Sequence, residues 1–179
     1  MTTKHVFYHA DRYGSLKEKQ EILLNDKNLS YFGDAYWNAL QTKRVDEMNV
    51  SERREFLLEQ IRREPRYSAY SSRMQSIFAA NTIPEAILFA NSIIPRPDYP
   101  IPIIEVFADR FWSLDSNWLD YNNDSMTYEY YRNYWEAKIS NHCPLDGERR
   151  PPRLEVMIAL PATTGKIVCL ADQIMSNHL

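Results

Sequence analysis

His9 and Glu155 are the two residues whose surroundings mark them as candidate chemical groups. His9 closes the run HVFYH at 5–9, immediately before the polar turn ADRYG. A ring at a strand end emerges where loops gather ligand groups, and imidazole there can act as acid, base or hydrogen-bonding group; a histidine merely capping the strand is the plain alternative. His5 and His178 lie near the chain ends and His142 in a polar stretch, so these read as solvated. Glu155 sits inside LEVMIALP, where alternation puts Leu154, Val156 and Ile158 on one face and Glu155, Met157 and Ala159 on the other. Its carboxylate is thereby held among apolar neighbours, unless it is a solvated charge on an exposed face. Glu105, Asp109 and Asp115 form a looser acidic set, but no lysine follows close behind on one strand, which disfavours a metal-dependent nuclease. The two cysteines, Cys143 and Cys169, make no CxxC and no paired Cys/His spacing, so neither a zinc site nor a disulfide framework is indicated and both read as free thiols in a reducing compartment.

These groups need elements to hold them. Strand signals fall at HVFYH 5–9, QSIFA 75–79, IIEVF 103–107, LEVMIAL 154–160 and KIVCL 166–170. Helix signals lie between. SERREFLLEQIRR from Ser51 sets Glu55 near the N-terminal turn and Phe56, Leu57 and Ile61 at helical spacing, with Pro65 as terminator. A second helix follows Thr82 as N-cap and Pro84 as an early residue, presenting Ala86, Ile87 and Ala90. A third, SMTYEYYRNYWEAKI from Ser125, carries Tyr128, Tyr131 and Trp135 on one stripe and Arg132 and Glu136 on another. The prolines of IIPRPDYPIP at 93–102 fix an extended path too short to separate two domains. Strands clustered without regular βαβ alternation imply an α+β fold: one domain over 1–179, with two small packed antiparallel or mixed sheets and flanking helices.

Composition bounds the partners. With 179 residues, 44% hydrophobic and 25% charged, the chain can bury one core. No window approaches a spanning helix and the N-terminus MTTKHVFYHADR lacks a signal-type apolar core, so the expectation is a cytoplasmic protein without a membrane partner. A net charge of −3 argues against a generally basic nucleic-acid coat but allows a local basic patch. The compositional oddity is 12 Tyr, 4 Trp and 7 Phe beside only 4 Gly, and no glycine-rich phosphate loop is present.

Taken in order, FYHADR at 7–12, SIFAANTIPEAILFA at 76–90 and LEVMIALPATTGKIVCL at 154–170 resemble the ADP-ribosyltransferase fold, in its histidine/aromatic/glutamate branch, toxin-like or poly-ADP-ribose-polymerase-like. Order and spacing carry the likeness; each motif alone is short. The resemblance implies an NAD-dependent mono-ADP-ribosyltransferase, a glycosyltransferase with NAD as substrate and no metal. Glu155 would be the catalytic carboxylate that hydrogen-bonds the ribose 2′-hydroxyl and stabilises the oxocarbenium-like ribose. His9 would donate to the adenosine ribose, Arg12 or Arg73 would neutralise the pyrophosphate, and Phe78 and the helix after it would floor the nicotinamide pocket.

The sequence also departs from the family pattern. Where relatives place tyrosines on the middle strand and following helix, this chain has Ile77 and then Leu88-Phe89, so Phe89, Tyr70 or Tyr67 would have to stack on nicotinamide. Arg153 stands two residues before Glu155, where arginine-directed relatives carry Glu or Gln, which disfavours an arginine target. The segment NHCPLDGERRPPRLE would face the acceptor; Arg149, Arg150 and Arg153 suggest an anionic macromolecule, nucleic acid or protein, and a toxin-like member would have a neutralising partner protein. Tyr130, Tyr134 and Trp135 could stack bases beside those arginines, although a stripe at helical spacing more often forms core. The alternative is a non-catalytic protein-binding module on a degenerate version of the fold.

Overall fold

Each strand motif becomes a strand, and the alternation within it decides which layer its side chains enter. The computed structural model describes residues 4–121, 124–140 and 151–172. Strands β1 (His5–Ala10), β4 (Ile101–Ala108), β7 (Ala162–Ala171) and β2 (Glu21–Ile22) form one sheet in the order β1-β4-β7-β2; β3 (Ser76–Ala79), β6 (Leu154–Ala159) and β5 (Phe111–Asp115) form a second in the order β3-β6-β5. Every pairing is antiparallel. Five α-helices are present among the described residues: α1 (Tyr31–Thr42), α2 (Val50–Arg62), α3 (Ile83–Asn91), α4 (Asn117–Asp120) and α5 (Thr127–Trp135). The chain is therefore an α+β domain built on two antiparallel sheets. None of these helices is long and apolar enough to cross a membrane.

The sheets pack face to face. Phe7, Ile104, Val106 and Ala108 from the first meet Ile77, Ala79, Val156 and Ile158 from the second. The odd-numbered residues Ile101 and Ile103 of β4 face the other way and bury Ala86 and Ala90 of α3. On the far side of the second sheet, Leu114 and Met157 lie under Leu58 and Ile61 of α2 and the aromatic rings of α5. β6 is thus covered on both faces, which explains a strand buried at nearly every position. The solvated-face reading of Glu155 fails for that reason.

Helix boundaries follow their caps. Thr82 and Glu85 form the reciprocal capping box of α3 with Pro84 in its first turn, as expected. α2 begins one residue before Ser51, because Asn49 caps it and Glu52 reaches back to the Asn49 N–H. Its inner stripe is Glu55, Leu58, Glu59 and Ile61, with Phe56 and Leu57 only half-buried. α5 starts at Thr127, and its buried face is Tyr130, Tyr131, Tyr134 and Trp135; Tyr128 is 54% exposed and leaves the expected stripe. α1 was not foreshadowed by the strand and helix signals. Ser30 caps it by accepting from Gly33 N, and the same hydroxyl donates to Met74 O. Gly33 is required there, since a Cβ would lie 2.0 Å from Met74 O; this approach locks α1 against the 3-10 turn Arg73–Gln75 that leads into β3.

Candidate functional site

β1 and β3 are edge strands of different sheets, and they touch at one point. Tyr8 and Ala80 exchange backbone hydrogen bonds, N to O at 3.0 and 2.8 Å, as an isolated bridge. Alternate residues of a strand turn their polar backbone groups to the same side, so Phe78 offers its carbonyl toward β1 as Ala80 does. The strands have parted there, and the His9 ring takes the place of the missing ladder: Nδ1 lies 2.6 Å from Phe78 O. A carbonyl only accepts, so Nδ1 carries the proton and a neutral ring leaves Nε2 as an acceptor. Burial holds the His9 pKa below the ordinary histidine value, against the opposing influence of the Phe78 hydrogen bond and Asp11. His9 therefore presents an acceptor where the resemblance implied a donor.

Beside this corner, between the end of β1, β3 and α1, is a cavity of about 320 Å³ lined by His9, Arg12, Phe78, and the aromatic side chains Tyr13, Tyr31, Phe32 and Tyr36. Its lining of rings and a few convergent polar groups suits a ligand carrying a planar ring and hydroxyls. Arg12 stands at its edge, with one contact to Pro95 O at 3.4 Å and its guanidinium 5.6 Å from the Tyr13 ring. Three of the expected cofactor residues, His9, Arg12 and Phe78, are thus gathered at one cavity. Two other cavities are of like size, so volume does not distinguish them. One, of about 360 Å³ between α1 and α2, has its Arg62 already tied to Glu59 and Tyr70 O. The other, of about 340 Å³, is lined by Phe89 and Arg153.

Glu155 lies behind the wall of the His9 cavity. In the β3–β6 ladder Phe78 pairs with Met157, so Phe78, Met157 and Glu155 share the helix-covered face. Arg73, from the turn before β3, runs along that face. Its guanidinium stacks 4.3 Å from the Phe78 ring and 5.6 Å from that of Phe32, both walls of the cavity. From there Arg73 Nη1 reaches Glu155 Oε1 at 2.7 Å, and the Tyr134 hydroxyl donates to the same oxygen at 2.5 Å. Arg73 Nη1 also contacts the Tyr134 oxygen. On its other edge Arg73 meets Glu55, Nε to Oε2 at 2.8 Å and Nη2 to Oε1 at 3.2 Å. Glu155 is 8% exposed, and no hydrogen bond from the described residues falls on its Oε2.

Electrostatics match this sealed arrangement. Burial alone would lower the Arg73 pKa, but Glu55 foremost, with Tyr134 and Glu155, drives it well above the ordinary value. Burial pushes the Tyr134 phenol well above its usual range, opposed by Arg73 and assisted by Glu155. The phenol stays a donor, and the guanidinium stays charged.

The other expected site residues lie elsewhere. Arg73 is 4% exposed and committed to two carboxylates, so it is not placed to meet a pyrophosphate. Phe89 is away from the His9 cavity, under the Arg153 guanidinium at 4.6 Å. Arg153 also pairs with Asp120 at 3.3 Å and donates to Ser92 Oγ at 2.9 Å. Arg149 and Arg150 lie outside the described residues. Tyr67 donates to Glu136, and Tyr70 packs on Trp112 and Trp135, so neither reaches the cavity. Tyr130, Tyr134 and Trp135 are core, at most 1% exposed, and unavailable for stacking on bases. The acids of the nuclease alternative are dispersed: Glu105 accepts from Lys166 N on the first sheet, while Asp115 is buried on the second beside Ser140. Among the described residues no group of three or more His, Cys, Asp or Glu side chains gathers to hold a metal.

What the sequence reading lacked is α1, which supplies Phe32 and Tyr36, and the pair Glu55 and Tyr134 that holds Arg73 and Glu155. Ser30 as an N-cap followed by aromatic residues at i and i+4 was the available signal for the first. No family model matches this chain, and comparison with curated proteins gives no match.

Proposed function

We propose that the chain is an NAD-dependent mono-ADP-ribosyltransferase acting on a macromolecular acceptor, nucleic acid or protein, with Glu155 as its catalytic carboxylate. Two packed antiparallel sheets are common to many α+β domains and do not select this chemistry. The observation that carries the proposal is the corner between β1 and β3, where His9 and Phe78 share an aromatic cavity and Arg73, stacked on the Phe78 ring, links that wall to Glu155.

In this reading the adenosine ribose gives a hydroxyl hydrogen bond to His9 Nε2, Arg12 faces the pyrophosphate at the cavity rim, and rings of α1 supply the stacking partner that Ile77 and Leu88 cannot. Substrate displaces the Phe78 side chain enough for the ribose to meet Glu155 Oε2. The bond between nicotinamide nitrogen and ribose C1′ breaks, and nicotinamide leaves with the electron pair, which neutralises its ring. An acceptor oxygen or nitrogen then bonds C1′ and releases its proton to solvent. Positive charge grows on the ribose between these events, so a fixed carboxylate helps most at the transition state. Arg149, Arg150 and Arg153 would favour an anionic acceptor.

The deciding experiment incubates the purified protein with NAD labelled in its adenylate moiety and a cell lysate, following nicotinamide release and the fraction that gains label. Release is expected, with label in the nucleic-acid or the protein fraction. Glu155→Gln should lower release on the order of 100-fold while NAD binding persists. Turnover retained in that variant removes Glu155 as the catalytic carboxylate. NAD bound by neither protein, with no label transferred, favours the non-catalytic binding module.

A further inference from the structure

α2 presents two buried glutamates, Glu55 and Glu59, one helical turn apart, and they are used differently. Glu59 ties the loop after the helix: it accepts from Ser72 Oγ at 2.9 Å and from Arg62, whose Nη1 donates to Tyr70 O at 3.1 Å. Those contacts are structural, linking a helix end to the chain that follows it. Glu55 is 0% exposed and makes no such local tie. Both its oxygens meet the Nε and Nη2 edge of Arg73, and Arg54 Nε stands 3.4 Å from Oε1.

A two-point contact between a carboxylate and a guanidinium fixes the plane of the guanidinium as well as its position. Once Glu55 holds the Nε/Nη2 edge, the guanidinium plane is set and Nη1 is left to meet Glu155 Oε1 at 2.7 Å and the Tyr134 oxygen. Tyr134 approaches the same oxygen from α5. Both donors therefore act on one oxygen of the carboxylate. Stability alone gives little reason for this arrangement, because a buried ion-pair triad is commonly no more stable than well-packed apolar side chains of the same volume.

We infer that Glu55 is a positioning residue for the reaction: through the Arg73 guanidinium it orients Glu155 so that Oε1 is occupied by Arg73 and Tyr134 and Oε2 alone is offered to the substrate ribose. This inference rests on the reading of Glu155 as the catalytic carboxylate. Glu55 touches neither substrate nor reacting atoms. Its loss removes no residue that lines the His9 cavity and lets the Arg73 plane, and with it the Glu155 carboxylate, rotate away from the productive orientation.

The test measures nicotinamide release from NAD by water, resolving kcat from KM, for the parent, Glu55→Gln, Glu155→Gln and the double variant, with a melting temperature for each. Glu55→Gln should lower kcat on the order of 10-fold or more and leave KM for NAD within about twofold. In the Glu155→Gln background the same change should do nothing further to kcat, since both residues act through one carboxylate. A purely structural Glu55 predicts otherwise: losses that multiply in the double variant, or a raised KM with unchanged kcat, and either result overturns the inference. Should Glu55→Gln melt below the assay temperature, Glu55→Asp keeps the charge and withdraws it by one methylene, and the same kcat-only loss is expected. If Glu155→Gln turns over like the parent, the underlying reading of Glu155 falls; if Glu155→Gln is inactive while both Glu55 variants keep the parental kcat, only the role of Glu55 falls.

Discussion

Phe78 is a wall shared by two polar centres that are built on opposite terms. On one side, His9 is held through Nδ1 to the Phe78 carbonyl, has its pKa lowered by burial, and lines a cavity of aromatic rings with Nε2 left as an acceptor. On the other, Arg73 is enclosed by Glu55, Glu155 and Tyr134, with charges paired at 2.7 and 2.8 Å and almost no exposed surface. An open centre with an unspent acceptor suits recognition, because a ligand can complete it. A closed centre of paired charges suits orientation, because its geometry is fixed before any ligand arrives. The fold sets the two back to back by holding His9 of β1 against the Phe78 carbonyl of β3 and bringing Arg73 in from the turn before that strand.

Removing the cation from the closed centre should produce the largest effect. Arg73→Met keeps much of the side-chain volume but leaves two buried carboxylates facing each other, a loss of about 3–5 kcal/mol. For a chain of this size that corresponds to a melting temperature lower by on the order of 10 °C. A drop of only a degree or two would mean that Glu55 and Glu155 reach water and that the centre is not closed.

The shared wall gives a smaller effect that should register in both centres. Phe78→Leu removes the ring on which Arg73 stacks while retaining an apolar side chain on β3. The expected cost is about 1–2 kcal/mol, from the lost cation–π contact and the volume change. Ligand affinity at the His9 cavity should weaken at the same time. A variant that loses stability but binds NAD like the parent would separate the two centres and show that Phe78 serves only the closed one.

The sequence disclosed the open centre better than the closed one. His9 sits at a strand end beside a polar turn and Phe78 inside a short apolar run, both local patterns. Thr82, Glu85 and Pro84 likewise announce α3 by chemistry confined to a few residues. The contact from Glu55 to Arg73 spans 18 positions and that from Arg73 to Glu155 spans 82, so no local pattern encodes them. Glu55 instead reads as one more charge on a charged helix. α1 is illegible in the sequence for a different reason: Tyr31, Phe32, Tyr36 and Trp37 favour strands as much as helices, and Gly33, which the close approach to Met74 requires, weakens the helical pattern. β5 is illegible because FWSLD is short and lies in an aromatic-rich region with no clear alternation.

The open centre should also reveal itself through pH, with the smallest effect of the three. The His9 pKa is lowered in the folded protein, mainly by burial of its ring, although the residue keeps some exposed surface. Between its folded value and the ordinary value near 6.5, the unfolded chain therefore binds more protons than the folded one, and stability rises with pH. The contribution is fully present above about pH 6.5 and is lost as pH falls below it, at no more than about 1.4 kcal/mol per unit from this one group. His9→Gln removes it. Denaturant melts of parent and variant between about pH 7.5 and 5.5 should diverge, with the parent falling more steeply on the acid side while the carboxylate background, common to both, cancels. Affinity for NAD should fall in the parent as pH drops through the lowered His9 value, because a proton on Nε2 removes the acceptor that the ribose hydroxyl needs. Parallel melts would mean that His9 is as solvated in the folded chain as in the unfolded one, and the contrast between a neutral imidazole at an open cavity and a sealed charged cluster would then lose its first half.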